Sequence, residues 1–263
     1  MKITYIGHAT LLLELGGARI LTDPNFDTRL GVLLPRVSAP GIALDALPKL
    51  DAMLLTHAHA DHLSFTSLDR LPADIPLYAP PPIALWLSQK GYRNAEAIAP
   101  GVITTITDGV RIHTAVATHQ GSRYGFDRWR SAANMYLAET DEESLFFAGD
   151  TALTPATHSL VEQTLWNAGR SLDVALLPIG YAPKWKPGFR RGHLTHDDAL
   201  ELFETLRARV LIPYHWGTFR HVTATAHDAI NRLRTVLPMH PARERVHIIE
   251  PGESMEIPPV SSA

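Results

Sequence analysis

The 263-residue chain contains no cysteine. Disulfide bridges and thiolate metal sites are therefore excluded, and any tight metal site must be built from histidine and carboxylate. A reducing compartment suits this composition, and a cytoplasmic location is the expectation. A surplus of basic charge is also lacking. The net charge is −3 with histidines neutral, so nothing marks a general nucleic-acid surface. No apolar run approaches the roughly 20 residues that a membrane-spanning helix needs. The opening stretch MKITYIGHATLLLELGG is interrupted by His8 and Glu14 and has no small-residue cleavage site, so it reads as strand and not as a leader. Peripheral contact with a membrane and assembly into homo-oligomers stay open. With 45% hydrophobic residues the chain can bury one sizeable core, and a single domain over residues 1–263 is expected.

What is present is histidine, fourteen in all, set against a regular pattern of apolar segments. KITYIG, TLLLEL and ARILTDP read as an antiparallel meander, with a Gly-Gly turn before the third strand. Residues 25–48, rich in Pro, Gly and Arg, read as a long loop. LDAMLLT (50–56) is a continuous apolar strand of the kind buried on both faces. LSFTSLDRL has helical spacing, PLYAP is a short strand, and IALWLSQKGY is an amphipathic helix closed by Gly91. GVITTIT and VRIHTAVATH follow as strands, then a polar and aromatic loop over 120–133. NMYLAET and ESLFFAGD form a hairpin, TPATHSLVEQTLWNAG a helix and LDVALLPIG a buried strand. Thr195 can cap the helix HDDALELFETLRA, with Asp197 and Asp198 in its first turn. ARVLIPYH is a strand, HDAINRLRTVL a helix, and RVHIIEPGESMEI a final strand pair. Meanders followed by strand–helix alternation occur twice. The expected fold is α/β, an αββα sandwich of two mixed sheets flanked by helices and built from two similar halves.

Four apolar strands end on a metal-competent side chain. MLLT leads into His57, AVAT into His119, FFAG into Asp150 and LIPY into His215. Sheets with parallel strands gather their ligands at such an edge. Within HAHADH (57–62), His57 and His59 are two residues apart and point the same way in an extended segment. Asp61 and His62 enter a turn and point elsewhere, which suits a second metal beside the first. Nitrogen and carboxylate donors fit Zn²⁺, with Mn²⁺ and Fe sharing the same chemistry.

HAHADH resembles the HxHxDH signature of the metallo-β-lactamase superfamily, and His119, Asp150 and His215 follow in that superfamily's ligand order. The resemblance implies one ion on His57, His59 and His119, a second on Asp61, His62 and His215, and Asp150 bridging. GHAT (7–10), LTDPNF (21–26), THQGSR (118–123), FFAGDT (146–151), GHLTHDDA (192–199) and HWGTF (215–219) resemble the branch that contains N-acylphosphatidylethanolamine-hydrolysing phospholipase D and its bacterial relatives. That branch implies a dinuclear phosphodiesterase that uses a metal-bridging hydroxide on a small anionic ester or phospholipid-like substrate. Asp61 would orient the nucleophile as well as bind metal. His193 would hydrogen-bond the phosphate or protonate the leaving oxygen. Arg123, Tyr181 and Trp185 are expected to contact substrate.

A lactonase or carboxylic-ester hydrolase on the same fold is the nearest alternative. A non-catalytic metal-binding regulatory module is the alternative of another class. The GHAT resemblance implies a place near the site for His8, but backbone anchoring is the favoured reading, and Asp23 reads as a carboxylate that anchors a loop or orients a ligand. Asp150 alone could equally cap the helix that follows it. His113 is expected outside the site, and IALWL as a core-facing helix surface.

Overall fold

The computed structural model describes residues 1–31, 34–107, 109–123, 129–180, 189–220 and 224–259. β1 (Lys2–Gly7), β2 (Thr10–Leu15) and β3 (Ala18–Thr22) form the expected antiparallel meander. Gly16 and Gly17, at φ 55° and 82°, make the two-residue turn between β2 and β3. A hairpin of that length needs positive φ at both positions, which glycine adopts without steric cost. The segment expected as an unbroken loop holds a small ribbon, β4 (Arg29–Leu30) with β5 (Leu34–Pro35).

β6 (Ala52–Leu54), β7 (Leu77–Ala79) and β8 (Ala95–Ala97) extend the meander in parallel. α1 (Phe65–Leu68) follows β6, and α2 (Pro81–Gln89) connects β7 to β8 and packs on both. β8 is a short, solvent-facing edge with no apolar alternation to announce it. The second sheet contains β9 (Ile103–Thr107), β10 (Val110–Val116), β11 (Asn134–Glu139), β12 (Ser144–Phe147), β13 (Val174–Pro178) and β14 (Val210–Tyr214). α3 (Ala156–Thr164), α4 (His196–Leu206) and α5 (Asp228–Val236) accompany it, with α3 against β10 and α4 against β13.

Strand order is β15-β1-β2-β3-β6-β7-β8 in one sheet and β14-β13-β12-β11-β10-β9 in the other, where β15 is Ser254–Glu256. Each sheet is antiparallel at one side and parallel at the other. The expected C-terminal strand pair is not formed. Val246 bridges to Leu211 in the second sheet, whereas β15 pairs with β1 in the first. The two segments pair with distant strands and not with each other.

The strand period of two sorts the first sheet's residues between two cores. Leu11, Leu13, Ile20 and Leu54 face the second sheet and join Ile112, Met135, Leu137 and Phe146. Leu12, Leu21, Met53 and Leu77 point the other way, to Ile83 and Leu87 of α2. The IALWL segment is therefore a core-facing surface, with Leu85 turned outward at 58% exposure. Among the described residues no helix is long and apolar enough to cross a membrane.

Burial ranks these positions energetically. Phe146→Ala, at a fully buried site, should lower the unfolding free energy by about 3–5 kcal/mol. Leu85→Ala should change it by less than about 0.5 kcal/mol. Denaturant titration of both variants checks this ranking, and equal losses would contradict the assignment of the core.

Candidate metal centre

The site lies where strands of both sheets end. β1 stops at Gly7 and His8 follows; β6 runs through Leu55 and Thr56 into His57. β10, β12 and β14 lead into His119, Asp150 and His215. These side chains gather as two groups. In the first, His57, His59, His119 and Asp150 each offer one donor atom, all within 4.8 Å of one another. In the second, His8, Asp61, His62 and His215 do the same. Asp150 stands between them. Its Oδ2 is 3.9 Å from both His57 Nε2 and His119 Nε2 and 3.5 Å from His62 Nε2, while Oδ1 is 3.2 Å from His215 Nε2. It caps no helix, since α3 begins after Pro155.

The donor set fits divalent ions. His57 Nε2 and both Asp150 oxygens are buried yet make no hydrogen bond, a costly arrangement unless a cation is shared. His59 Nδ1 lies 3.2 Å from His119 Nε2, and His62 Nε2 lies 3.3 Å from His215 Nε2. Two nitrogens on one tetrahedral ion, each about 2.0–2.1 Å from it, stand about 3.3 Å apart. A proton shared between rings gives a similar distance, but it leaves the Asp150 oxygens without a partner.

Hydrogen bonds at the back of the rings assign the tautomers. Asp23, fully buried, accepts from Thr56 N, Thr56 Oγ1 and His62 Nδ1, each at 2.7 Å. Thr56 Oγ1 in turn lies 2.9 Å from His57 Nδ1, and His119 Nδ1 donates to Gly192 O at 2.7 Å. Each of these rings thus carries a proton on Nδ1 and turns Nε2 inward, with a free lone pair there in His57 and His119. Asp23 therefore orients ligand candidates, one of the two roles its sequence context suggested. A Cβ at Gly192 would stand 2.9 Å from His119 Nδ1, so a glycine is needed for this approach. Of four described non-glycine residues with positive φ, three are here: His8, Asp23 and His215, at 56°, 35° and 71°. Strained backbone concentrates where side-chain placement has priority.

The charges follow from burial and proximity. Burial pushes the His57 imidazole far down, His119 down to about 3, His8 down to about 4, and His59 down. Burial opposes ionisation of Asp61 and Asp150, but the surrounding imidazoles outweigh it and hold both well below the usual carboxylate range. His62 differs. Burial disfavours its charge, yet Asp150, Asp23 and Asp61 raise its pKa well above the ordinary value. In the metal-free protein, His62 therefore retains a proton near neutrality.

His193 lies at the margin, with Nε2 3.4 Å from Asp150 Oδ2 and its ring 4.8 Å from that of His119. Arg123 is placed behind the histidine loop. Its Nη1 donates to Ala58 O and Leu63 O at 3.2 and 2.7 Å, and its guanidinium lies over the Phe65 ring. Those contacts brace the loop. Tyr181 and Trp185 lie outside the described residues. His113 sits away from the site, 2.8 Å from Glu139 Oε1. His8, for which backbone anchoring was favoured over a place near the site, is part of the second group. The usable signal was its position directly after a strand ending at the same rim.

The sequence profile described as the beta-lactamase superfamily domain matches residues 18–216, and the chain belongs to that superfamily. A metal-dependent hydrolase of Pyrobaculum aerophilum is 27% identical over 98% of this chain and 100% of that protein. The N-acyl-phosphatidylethanolamine-hydrolyzing phospholipase D 1 of Caenorhabditis elegans is 27% identical over 82% of this chain, which spans 64% of the relative. The solved structure of isothiocyanate hydrolase from Delia radicum gut bacteria shares the fold with a TM-score of 0.77, at 22% identity over 98% of this chain and 99% of that one.

Two outcomes are expected. Asp23→Asn removes the charged acceptor behind His62 and Thr56 and should weaken metal binding about 10–100-fold. Chelator competition measures this, and unchanged affinity would remove Asp23 from the orienting role. Metal binding should also release protons and tighten with rising pH. The raised pKa of His62 means that its proton stabilises the metal-free fold below the unfolded-state pKa. That stabilisation is lost as pH rises through the raised folded value, where the competing proton leaves. Calorimetry in buffers of different ionisation enthalpy reads the proton count, and pH-independent binding would contradict the assignment.

Proposed function

We propose that this superfamily member is a dinuclear metal-dependent hydrolase of phosphodiesters, with small anionic or phospholipid-like esters as its substrate class. The observation that carries the reading is the position of Asp150, whose carboxylate reaches both donor groups. His57, His59 and His119 would hold one ion and Asp61, His62 and His215 the other, with zinc the metal best suited to these donors. Two such ions, when bound, polarise an ester oxygen and make water a nucleophile near neutral pH.

The chain's own groups supply the rest. Two divalent charges against Asp61 and Asp150 leave a surplus of about two positive charges. That surplus favours an anionic ester, although the whole chain is slightly acidic. Asp61 stays ionised, and its side chain keeps 25% exposure, so it can accept a hydrogen bond from the attacking water. His193 is partly exposed beside Asp150 and can donate to a phosphoryl oxygen or return a proton to the departing alkoxide. The likeness to a metal-dependent hydrolase supports hydrolysis, and that to a phospholipid-cleaving relative supports the substrate class. We also take the chain as one hydrolase domain of two similar halves, a reading supported by the repeated antiparallel-to-parallel order of the sheets, and place it in the cytoplasm.

Hydrolysis of bis(p-nitrophenyl) phosphate, measured beside that of simple lactones, tests the proposal. Stripping the protein with a chelator should abolish turnover, and zinc or manganese should restore it. His193→Ala should lower kcat about 10²–10⁴-fold while metal content is retained. A preference for lactones would overturn the phosphodiester assignment, and turnover that survives complete metal removal would overturn the metal chemistry.

A further inference from the structure

We infer that His8 is a positioning residue of the second donor group: its Nε2–H holds the Asp61 carboxylate and its ring fixes the plane of His215. The inference rests on the proposal that the second group binds an ion, and it assigns a role to a side chain outside that ligand set.

Geometry separates this role from direct ligation. His8 Nε2 lies 2.9 Å from Asp61 Oδ2, a hydrogen-bond length. The same oxygen stands 3.9 Å from His62 Nε2 and 3.7 Å from His215 Nε2, wider separations that leave room for an ion between donors. A carboxylate oxygen has two lone-pair directions. On Asp61 Oδ2 one is taken by His8 and the other is left toward His62 and His215. Nε2 of His8 must then carry the proton, which excludes it as a donor to metal.

His215 is held by the same residue in two further ways. The imidazoles of His8 and His215 overlap with centroids 3.8 Å apart, and His215 N–H donates to His8 O at 2.9 Å. Phe219 packs edge-on with His8, its ring centre 5.3 Å away. The His8 backbone occupies positive φ, 56°, which is uncommon for a non-glycine residue and persists only where surrounding contacts over-determine it. Asp61 needs such a partner. It lies in the turn between β6 and α1 with a quarter of its side chain exposed, so without His8 the carboxylate is free to turn to solvent. The motif GHAT thereby gains a physical purpose: a strand end from the first sheet that aligns one ligand from each sheet.

The test is the stoichiometry and affinity of Zn²⁺, by chelator competition, on the whole chain. Wild type should bind two ions. His8→Phe keeps a ring against His215 but removes the donor, and should weaken only the second ion, by about 10–100-fold. His8→Gln keeps an N–H and should recover most of that affinity. With saturating Co²⁺, the absorption bands of both variants should match wild type, because no nitrogen ligand has been removed. Should His8→Phe fail to fold, His8→Asn tolerates the positive φ, is too short to reach Asp61, and serves in its place. Unaltered binding of the second ion in the donor-free variant overturns the inference. So does a Co²⁺ spectrum that loses a nitrogen ligand in every variant, which would make His8 a ligand. Wild type that binds a single ion overturns the two-ion reading itself, and the inference falls with it.

Discussion

A single buried carboxylate organises the rim on which the site is built. Asp23 has no access to water and is encircled by three donors, two from Thr56 and one from His62. An isolated buried charge is prohibitively costly, and a carboxylate that accepts several short hydrogen bonds is not isolated. The arrangement therefore runs in both directions. The donors make the burial of Asp23 tolerable, and Asp23 dictates which way His62 faces and, through the Thr56 hydroxyl, which way His57 faces. Loss of this one group would leave two rings without a defined tautomer or plane.

The same rim explains why the backbone departs from regular geometry where it does. Regular strands present side chains on alternating faces, perpendicular to the sheet. A cluster at a sheet edge needs side chains that point along the strand axis, which requires the chain to turn sharply after the last paired residue. His8, Asp23 and His215 make those turns with positive φ, and Gly149 does so at φ 58° with Thr56 too close for a Cβ. The strain is tolerated because both sheets beneath are packed into one apolar core that resists relaxation.

How much of this was legible follows from the range of each signal. HAHADH is local, and an apolar run followed by histidine is local, so His57, His59, His62, His119, Asp150 and His215 could be marked from short stretches. Their meeting point depends on strand order, which the repeated meander-then-alternation pattern made readable. Signals without local periodicity were lost. β8 is three residues of small and charged side chains on an edge. β15 finds its partner on β1, across nearly the whole chain. A loop cation such as Arg123 has no sequence feature that states which backbone it braces, and its contacts with two carbonyls and a phenyl ring were not legible. His8 was hard to weigh for the opposite reason. It has none of the spacing of the cluster and joins it only because β1 and β14 end side by side, as the bond from His215 N to His8 O records.

The composition of the two donor groups joins the chemistry to the architecture. The first takes His57 and His59 from the end of β6 in one sheet, and His119 and Asp150 from the ends of β10 and β12 in the other. The second takes His8, Asp61 and His62 from the first sheet and His215 from the second. Neither group is complete within one sheet. An ion in either place would therefore tie the sheets together at this rim, and its binding free energy would also be folding free energy for the strand ends that supply its donors. The core beneath needs no such tie, because its apolar contacts already cross the sandwich. The rim does, because its buried carboxylates and imidazoles have more lone pairs than donors to satisfy them. A cation supplies the missing partner, and the site that would perform the reaction is also the place where the fold is otherwise least well satisfied.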